Sequence, residues 1–125
     1  LKESRSITTM TTTTQANTDF ALQPVRERMA RIDDFVARLN AKFDGKIFAK
    51  MTGRKFVRIY TQNVYEWGVQ DGRTAYCFIR LEDGDILKCD GWKAPAKGVR
   101  AWLDQVLAND LQEVDEYTGW LYRCR

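Results

Sequence analysis

Histidine is absent from this 125-residue chain, and cysteine is scarce. Because histidine is the commonest general base and metal ligand, its absence argues against the usual hydrolytic and metal-dependent sites. The chain has three cysteines, Cys77, Cys89 and Cys124, and no two of them have C-x-x-C spacing. Because three is an odd number, at least one thiol remains outside any set of disulfides within the chain. We therefore predict a cytoplasmic protein that holds no metal and no cofactor.

Long apolar runs are missing as well. No stretch approaches the ~20 apolar residues that span a bilayer, and the N-terminus lacks the apolar segment of a signal peptide. Glycine-rich phosphate loops and nucleophile elbows are also absent. Asp83 and Asp85 lie in a segment that is typical of a hairpin turn. Aspartate is favoured in turns because its side chain accepts from the nearby backbone, so neither carboxylate needs a catalytic role to explain it. We predict neither a membrane protein nor an enzyme, and we assign no catalytic residue.

Basic residues are unevenly distributed in a chain whose net charge is only +3. Acids gather at residues 82–90 and 110–116. If the basic stretches converge in the fold, the protein presents a basic face. Two stretches contain no acid, one with Lys46, Lys50, Arg54, Lys55 and Arg58 and the other with Lys93, Lys97 and Arg100.

The first 18 residues are polar and rich in threonine, so they bury too little apolar surface to offset the entropy of ordering. We predict a disordered arm over residues 1–18 and a single α+β domain over residues 19–125. Apolar residues then recur at intervals of three and four, which predicts a long N-terminal helix over residues 19–42. Their positions are Val25, Met29, Ile32, Phe35, Val36, Leu39 and Phe43.

Runs of aromatic and β-branched residues follow this helix and predict an antiparallel meander of three to four strands. The Asp83-Gly84 pair marks a hairpin turn between two of them. The runs cover residues 47–51, 55–67, 74–81 and 86–89.

Pro95 predicts the start of a second helix, because its fixed φ and missing N–H suit the first helical turn. We expect this helix to end near residues 109–110, before a short C-terminal strand or tail. Its apolar residues at helical spacing are Val99, Trp102, Leu103, Val106 and Leu107.

The predicted start of the second helix carries Lys93, Lys97 and Arg100 beside Trp92, with no acid among them. Because a helix N-terminus attracts anions and disfavours cations, this arrangement indicates a counter-charge. We predict that these residues bind a phosphate or carboxylate. The alternatives are that an acid from residues 82–90 pairs with them, or that they only cover apolar surface.

A second candidate surface lies on the predicted sheet, where Lys55 and Arg58 alternate with Phe56 and Tyr60. Aromatic platforms with interspersed cations bind single-stranded nucleic acid, since bases stack while cations contact phosphates. We predict Lys55 and Arg58 as second-rank contacts. The alternative is that the aromatic residues form the core of a small domain.

Three segments together resemble small uncharacterised proteins of tailed bacteriophages. They are residues 75–79 (AYCFI), 84–88 (GDILK) and 92–100 (WKAPAKGVR). The similar core in those proteins reads F-I-D, G-D-(V/I)-(Y/L)-K and W-K-A-P-A-K-x-x-R. The resemblance covers roughly residues 55–103. It implies a phage or prophage source and brings no established activity.

Together these features predict a non-enzymatic, phage-like accessory protein that binds nucleic acid or a phosphate-bearing ligand through the basic helix N-terminus. The alternative is a virion structural or protein–protein interaction module, which uses the arm to assemble into oligomers or to bind another phage or host protein. The expected location is the host cytoplasm or the virion. The predicted ligand-binding residues are Lys93, Lys97, Arg100, Lys55, Arg58 and Trp92.

Overall fold

The structure, a computed structural model, describes residues 20–69 and 71–123. The main element of the fold is an antiparallel sheet, which has six strands in these two ranges. The strands are β1 (Lys46–Thr52), β2 (Phe56–Tyr65), β3 (Gly68–Val69), β4 (Thr74–Arg80), β5 (Asp85–Asp90) and β6 (Ala94–Trp102). The helices are α1 (Val25–Lys42), α2 (Leu103–Ala108) and α3 (Trp120–Arg123).

The order across the sheet is β1-β2-β4-β5-β6, and β3 pairs with the end of β2. β1 and β2 pair without a break along the whole of β1. The β2–β4 pairing shifts register between Ile59 and Tyr60, and the β5–β6 pairing shifts twice. Such bulges bend a strand and redirect its side chains.

One apolar core lies between the sheet and the helices. α1 contributes Ile32, Phe35 and Leu39, which its three-and-four spacing brings to one side of the helix. α2 and α3 add Leu103 and Trp120 to the same core. Burial of each large apolar side chain contributes about 1.5–3 kcal/mol. The buried sheet residues of this core are Phe48, Val57, Ile59, Tyr76, Cys77, Ile79 and Ile86.

Polar contacts fix α1 relative to the sheet and to α2. The side-chain amide of Asn40 donates to the Phe48 carbonyl at 2.9 Å and accepts from the Phe48 N–H at 2.8 Å. Arg31 forms an ion pair of 2.6 Å with Asp104, which is largely buried at the start of α2. These contacts hold α1 and α2 together on one face of the sheet.

The predicted helix after Pro95 is wrong. Residues Ala94–Trp102 form the edge strand β6, and helix α2 begins only at Leu103. Pairing with β5 provides backbone hydrogen bonds that the local apolar spacing does not reveal, and proline is compatible with an edge strand. Gly98 adopts a φ of 96°, a left-handed conformation that an α-helix does not contain.

Other parts of the predicted architecture are also wrong. The sheet has six strands in the described residues, where three to four were predicted. The predicted long helix over residues 19–42 is shortened to Val25–Lys42, because Pro24 is extended with a ψ of 160°. The predicted C-terminal strand or tail is replaced by α3. The predicted arm over residues 1–18 lies outside the described residues.

Candidate functional site

The sheet has a second face, opposite the helices. Because Val57 and Ile59 point into the core, the alternating residues Phe56, Arg58 and Tyr60 point away from it. Side chains that pair directly across neighbouring strands share a face, which brings further residues of β1, β4 and β5 to the same side. We call this surface the aromatic face; it comprises Met51, Phe56, Arg58, Tyr60, Phe78, Leu87 and Trp92.

Arg58 is the central residue of the aromatic face. Its guanidinium carbon lies 4.6 Å from the ring centroid of Trp92 and 5.5 Å from that of Phe78. Its Nε–H donates to the Trp92 carbonyl at 2.8 Å, and one terminal nitrogen lies 2.9 Å from the Met51 sulfur. These contacts hold the turn between β5 and β6 against the sheet and fix the plane of the guanidinium.

The aromatic rings and cations of this face are in sequential contact. Tyr60 and Trp92 have centroids 6.0 Å apart, and the guanidinium of Arg73 lies 5.0 Å from the Tyr60 centroid. Phe56 meets Phe78 edge to face at 6.2 Å. Cation–ring contacts of this kind contribute about 0.5–2 kcal/mol each. The contacts follow the order Arg73, Tyr60, Trp92, Arg58, Phe78, Phe56.

A basic cavity of about 260 Å³ lies at the Phe56 end of the aromatic face. Four cations line it, namely Arg54, Lys55, Arg58 and Lys93, and the described residues of its lining include no acid. Lysine and arginine side chains are ordinarily protonated at neutral pH. A concave site lined by one sign of charge concentrates the electric field and attracts anions.

The structure brings four of the six predicted site residues together. The aromatic face and its basic cavity contain Lys55, Arg58, Trp92 and Lys93. The predicted helix N-terminus does not exist, because its residues belong to β6 and the turn before it. The dipole argument for an anion site there is therefore wrong.

The remaining basic residues of the two acid-free stretches lie elsewhere. Lys50 forms an ion pair of 2.7 Å with Asp33 of α1, on the helix side of the sheet. The Lys46 ammonium lies 4.2 Å from the ring centroid of Tyr117. Lys97 is exposed on the edge strand. Strand alternation thus divides a continuous basic sequence between two faces.

Arg54, Arg73 and Met51 belong to the site but were not predicted. The alternation of Phe56, Arg58 and Tyr60 is the sequence signal that could have grouped Arg54 with them, because it lies in the adjoining turn. Arg73 precedes β4 and reaches Tyr60 only through the β2–β4 pairing. No sequence signal indicates that contact.

The two cysteines whose surroundings are described are poor nucleophiles. Burial raises the pKa of the Cys89 thiol to about 11, although Arg58 and Lys88 oppose the shift. Burial also raises the pKa of Cys77 well above its usual range. Because the thiolate is the reactive form, both sulfurs are protonated and unreactive at neutral pH.

Residues 20–69 and 71–123 offer neither a metal site nor a membrane-spanning helix. No group of three or more cysteine, aspartate or glutamate residues in these ranges is placed to hold a metal ion. No helix in this part of the chain is long and apolar enough to cross a membrane.

Comparison with known proteins places the chain in a family. A family model described as a family of unknown function, DUF7717, matches residues 3–123. The comparison with curated proteins gave no match, and the comparison with solved structures gave none either. Because the model matches nearly the whole sequence, this chain belongs to DUF7717, a family of unknown function.

Proposed function

We propose that this protein binds single-stranded nucleic acid through the aromatic face and its basic cavity. One observation carries the proposal. Ring–ring and cation–ring contacts run without a break from Arg73 to Phe56, and they end at the basic cavity, whose described lining residues include no acid. The proposed partner is a nucleic-acid strand with unpaired bases, which is more specific than the nucleic acid or phosphate-bearing ligand predicted from the sequence. The source in a phage, the virion location and the role of the arm stay predictions.

The rings of Tyr60 and Trp92 are the proposed stacking platforms. Both side chains are half-buried. Neighbouring residues therefore restrain each ring, while part of its surface remains accessible to solvent. Their ring centroids lie 6.0 Å apart and the ring planes are tilted by 55°, so the two platforms are in direct contact. Stacking a base on an aromatic side chain contributes about 1–3 kcal/mol and tolerates any base.

The cavity cations are the proposed phosphate contacts. Lys55 and Lys93 are exposed, and neither ammonium forms a hydrogen bond or ion pair with the described residues, so both are available to contact phosphates. Arg58 is already held by Trp92 and Met51, so it orients the platform and adds positive charge. A duplex conceals its base faces within the stack, which favours single strands over duplex at this site.

The test is fluorescence anisotropy of labelled oligothymidylate and of a duplex of equal length, titrated with the protein at several salt concentrations. We expect tighter binding of the single strand and an affinity that falls as salt rises. Three phosphate contacts, from Arg54, Lys55 and Lys93, predict a slope of about −2 in log K against log salt, since each contributes about 0.7 for single strands. Equal binding of the duplex, or an affinity independent of salt, would contradict the proposal.

A further inference from the structure

A second cavity, separate from the aromatic face, lies between the edge strand and the C-terminal helices. It has a volume of about 300 Å³, within the lower range of small-molecule sites. Its lining is mostly apolar and includes Val99, Trp102, Val106 and Trp120. Val99 and Trp102 are also among the exposed large apolar side chains, so they mark where the cavity meets solvent.

Arg100 is the one basic residue among the described residues that line this cavity. It lies at the first β5–β6 register shift, where Ile86 pairs with Ala101 and Leu87 pairs with Val99. Arg100 is therefore the extra residue of a bulge, and bulges redirect a side chain out of the strand's alternation. Its Nε atom is buried and has no hydrogen-bond partner among the described residues.

A buried donor on a charged group is costly when it has no acceptor. The apolar surroundings increase that cost, because little water is available to replace the missing partner. The loop that borders the cavity is also strained, since Asp110 and Leu111 both have positive φ values, 56° and 58°. Such strain in consecutive non-glycine residues concentrates at binding sites.

We infer that this cavity binds a small monocarboxylate with an apolar body. The carboxylate accepts from the Arg100 guanidinium, and the apolar part packs against Val106 and Trp120. Glu113 also lines the cavity and is exposed. Amides of Gln105 and Asn109 provide further donors in the lining. This site is independent of nucleic-acid binding, because it shares no lining residue with the basic cavity.

The probe is 3-phenylpropionate, and 3-phenylpropan-1-ol is its neutral counterpart of nearly equal shape. Isothermal titration calorimetry on the full chain should show the carboxylate binding about tenfold or more tightly than the alcohol. The carboxylate should also raise the unfolding temperature, and the rise should continue with the logarithm of its concentration above the dissociation constant. Equal binding of the two compounds, or no binding of either at millimolar concentration, would overturn the inference.

The matched variants are Arg100→Leu and Arg26→Leu, the second of which removes an exposed arginine from α1. We expect Arg100→Leu to abolish the preference for carboxylate over alcohol while Arg26→Leu retains it. Because no described residue accepts from the Arg100 Nε, Arg100→Leu should keep or raise the unfolding temperature. A lowered unfolding temperature together with an unchanged carboxylate preference would assign Arg100 a structural role and overturn the inference.

Discussion

Reversing the charges of Lys55 and Lys93 together is expected to lower the affinity for single-stranded DNA by about 100-fold at low salt. Both side chains are exposed and line the basic cavity, so the change replaces two attractions with two repulsions. The salt slope of the Lys55→Glu/Lys93→Glu variant should be smaller in magnitude by about 1.4, for the loss of two phosphate contacts. Anisotropy titrations over a range of salt concentrations measure both effects.

The control is the double variant Arg26→Glu/Lys97→Glu, which changes the net charge by the same amount. Arg26 lies on α1 and Lys97 on the edge strand, and both are exposed away from the cavity lining. We expect a small loss of affinity and an unchanged salt slope for this control. If the two double variants weaken binding equally, net charge explains the affinity and the basic cavity does not.

Truncating Trp120 is expected to lower the free energy of unfolding by about 3–5 kcal/mol, the range for large aromatic residues in a core. Trp120 is 1% exposed, and its indole N–H donates to the Tyr76 hydroxyl at 2.8 Å. That hydroxyl in turn donates to the Asp115 carbonyl. Trp120→Ala therefore opens a cavity and removes one member of a buried hydrogen-bond chain. Urea denaturation monitored by circular dichroism gives the free energy.

Trp120→Phe separates the two contributions, since it keeps an aromatic ring and removes the indole N–H. We expect it to cost about 1–3 kcal/mol, partly for the volume lost and partly for the lost hydrogen bond. A loss below about 1 kcal/mol for Trp120→Ala would contradict the placement of α3 in the core and would return its segment to a loosely docked tail.

The apolar spacing in the first half of the chain carried real information about burial. Ile32, Phe35 and Leu39 follow that spacing, and all three are fully buried in α1. The spacing did not reveal where the helix begins, because Val25, the first of the apolar positions, directly follows the extended Pro24 and is itself exposed. Local periodicity therefore identified which residues are buried better than it identified the ends of the element.

The segment at residues 94–102 could not be assigned correctly from local pattern. Val99 and Trp102 fit helical spacing, and Pro95 fits a helix start, yet β5 supplies a pairing partner that outweighs both. The bulges in β6 also remove the strict alternation by which a strand is recognised. Tertiary pairing decided the outcome, and the predicted helix start at Pro95 was wrong for that reason. The anion binding predicted for Lys93, Lys97 and Arg100 stays a prediction without its dipole argument.

The candidate site was partly predictable from the sequence, because one strand, β2, contributes several of its residues. Arg58 and its aromatic neighbours in β2 alternate in a way that places them on one face once a strand is assumed. The contacts of Trp92 and Arg73 depend on the turn after β5 and on the β2–β4 register, which only the fold supplies. The separation of Lys50 from Lys55 follows instead from strand alternation in β1, where Lys50 pairs with the core residue Ile59 and faces the helices.

Nucleic-acid binding by the aromatic face is tested most directly by ultraviolet cross-linking of bromouracil-substituted single-stranded DNA to the protein, mapped by mass spectrometry. We expect cross-links at Trp92 and Tyr60, although both are only partly exposed. Trp67 is the internal reference, because it is 81% exposed and stacks on Tyr65 at 4.6 Å in the β2–β3 hairpin. Cross-links confined to Trp67 and Tyr65 would contradict binding by the aromatic face.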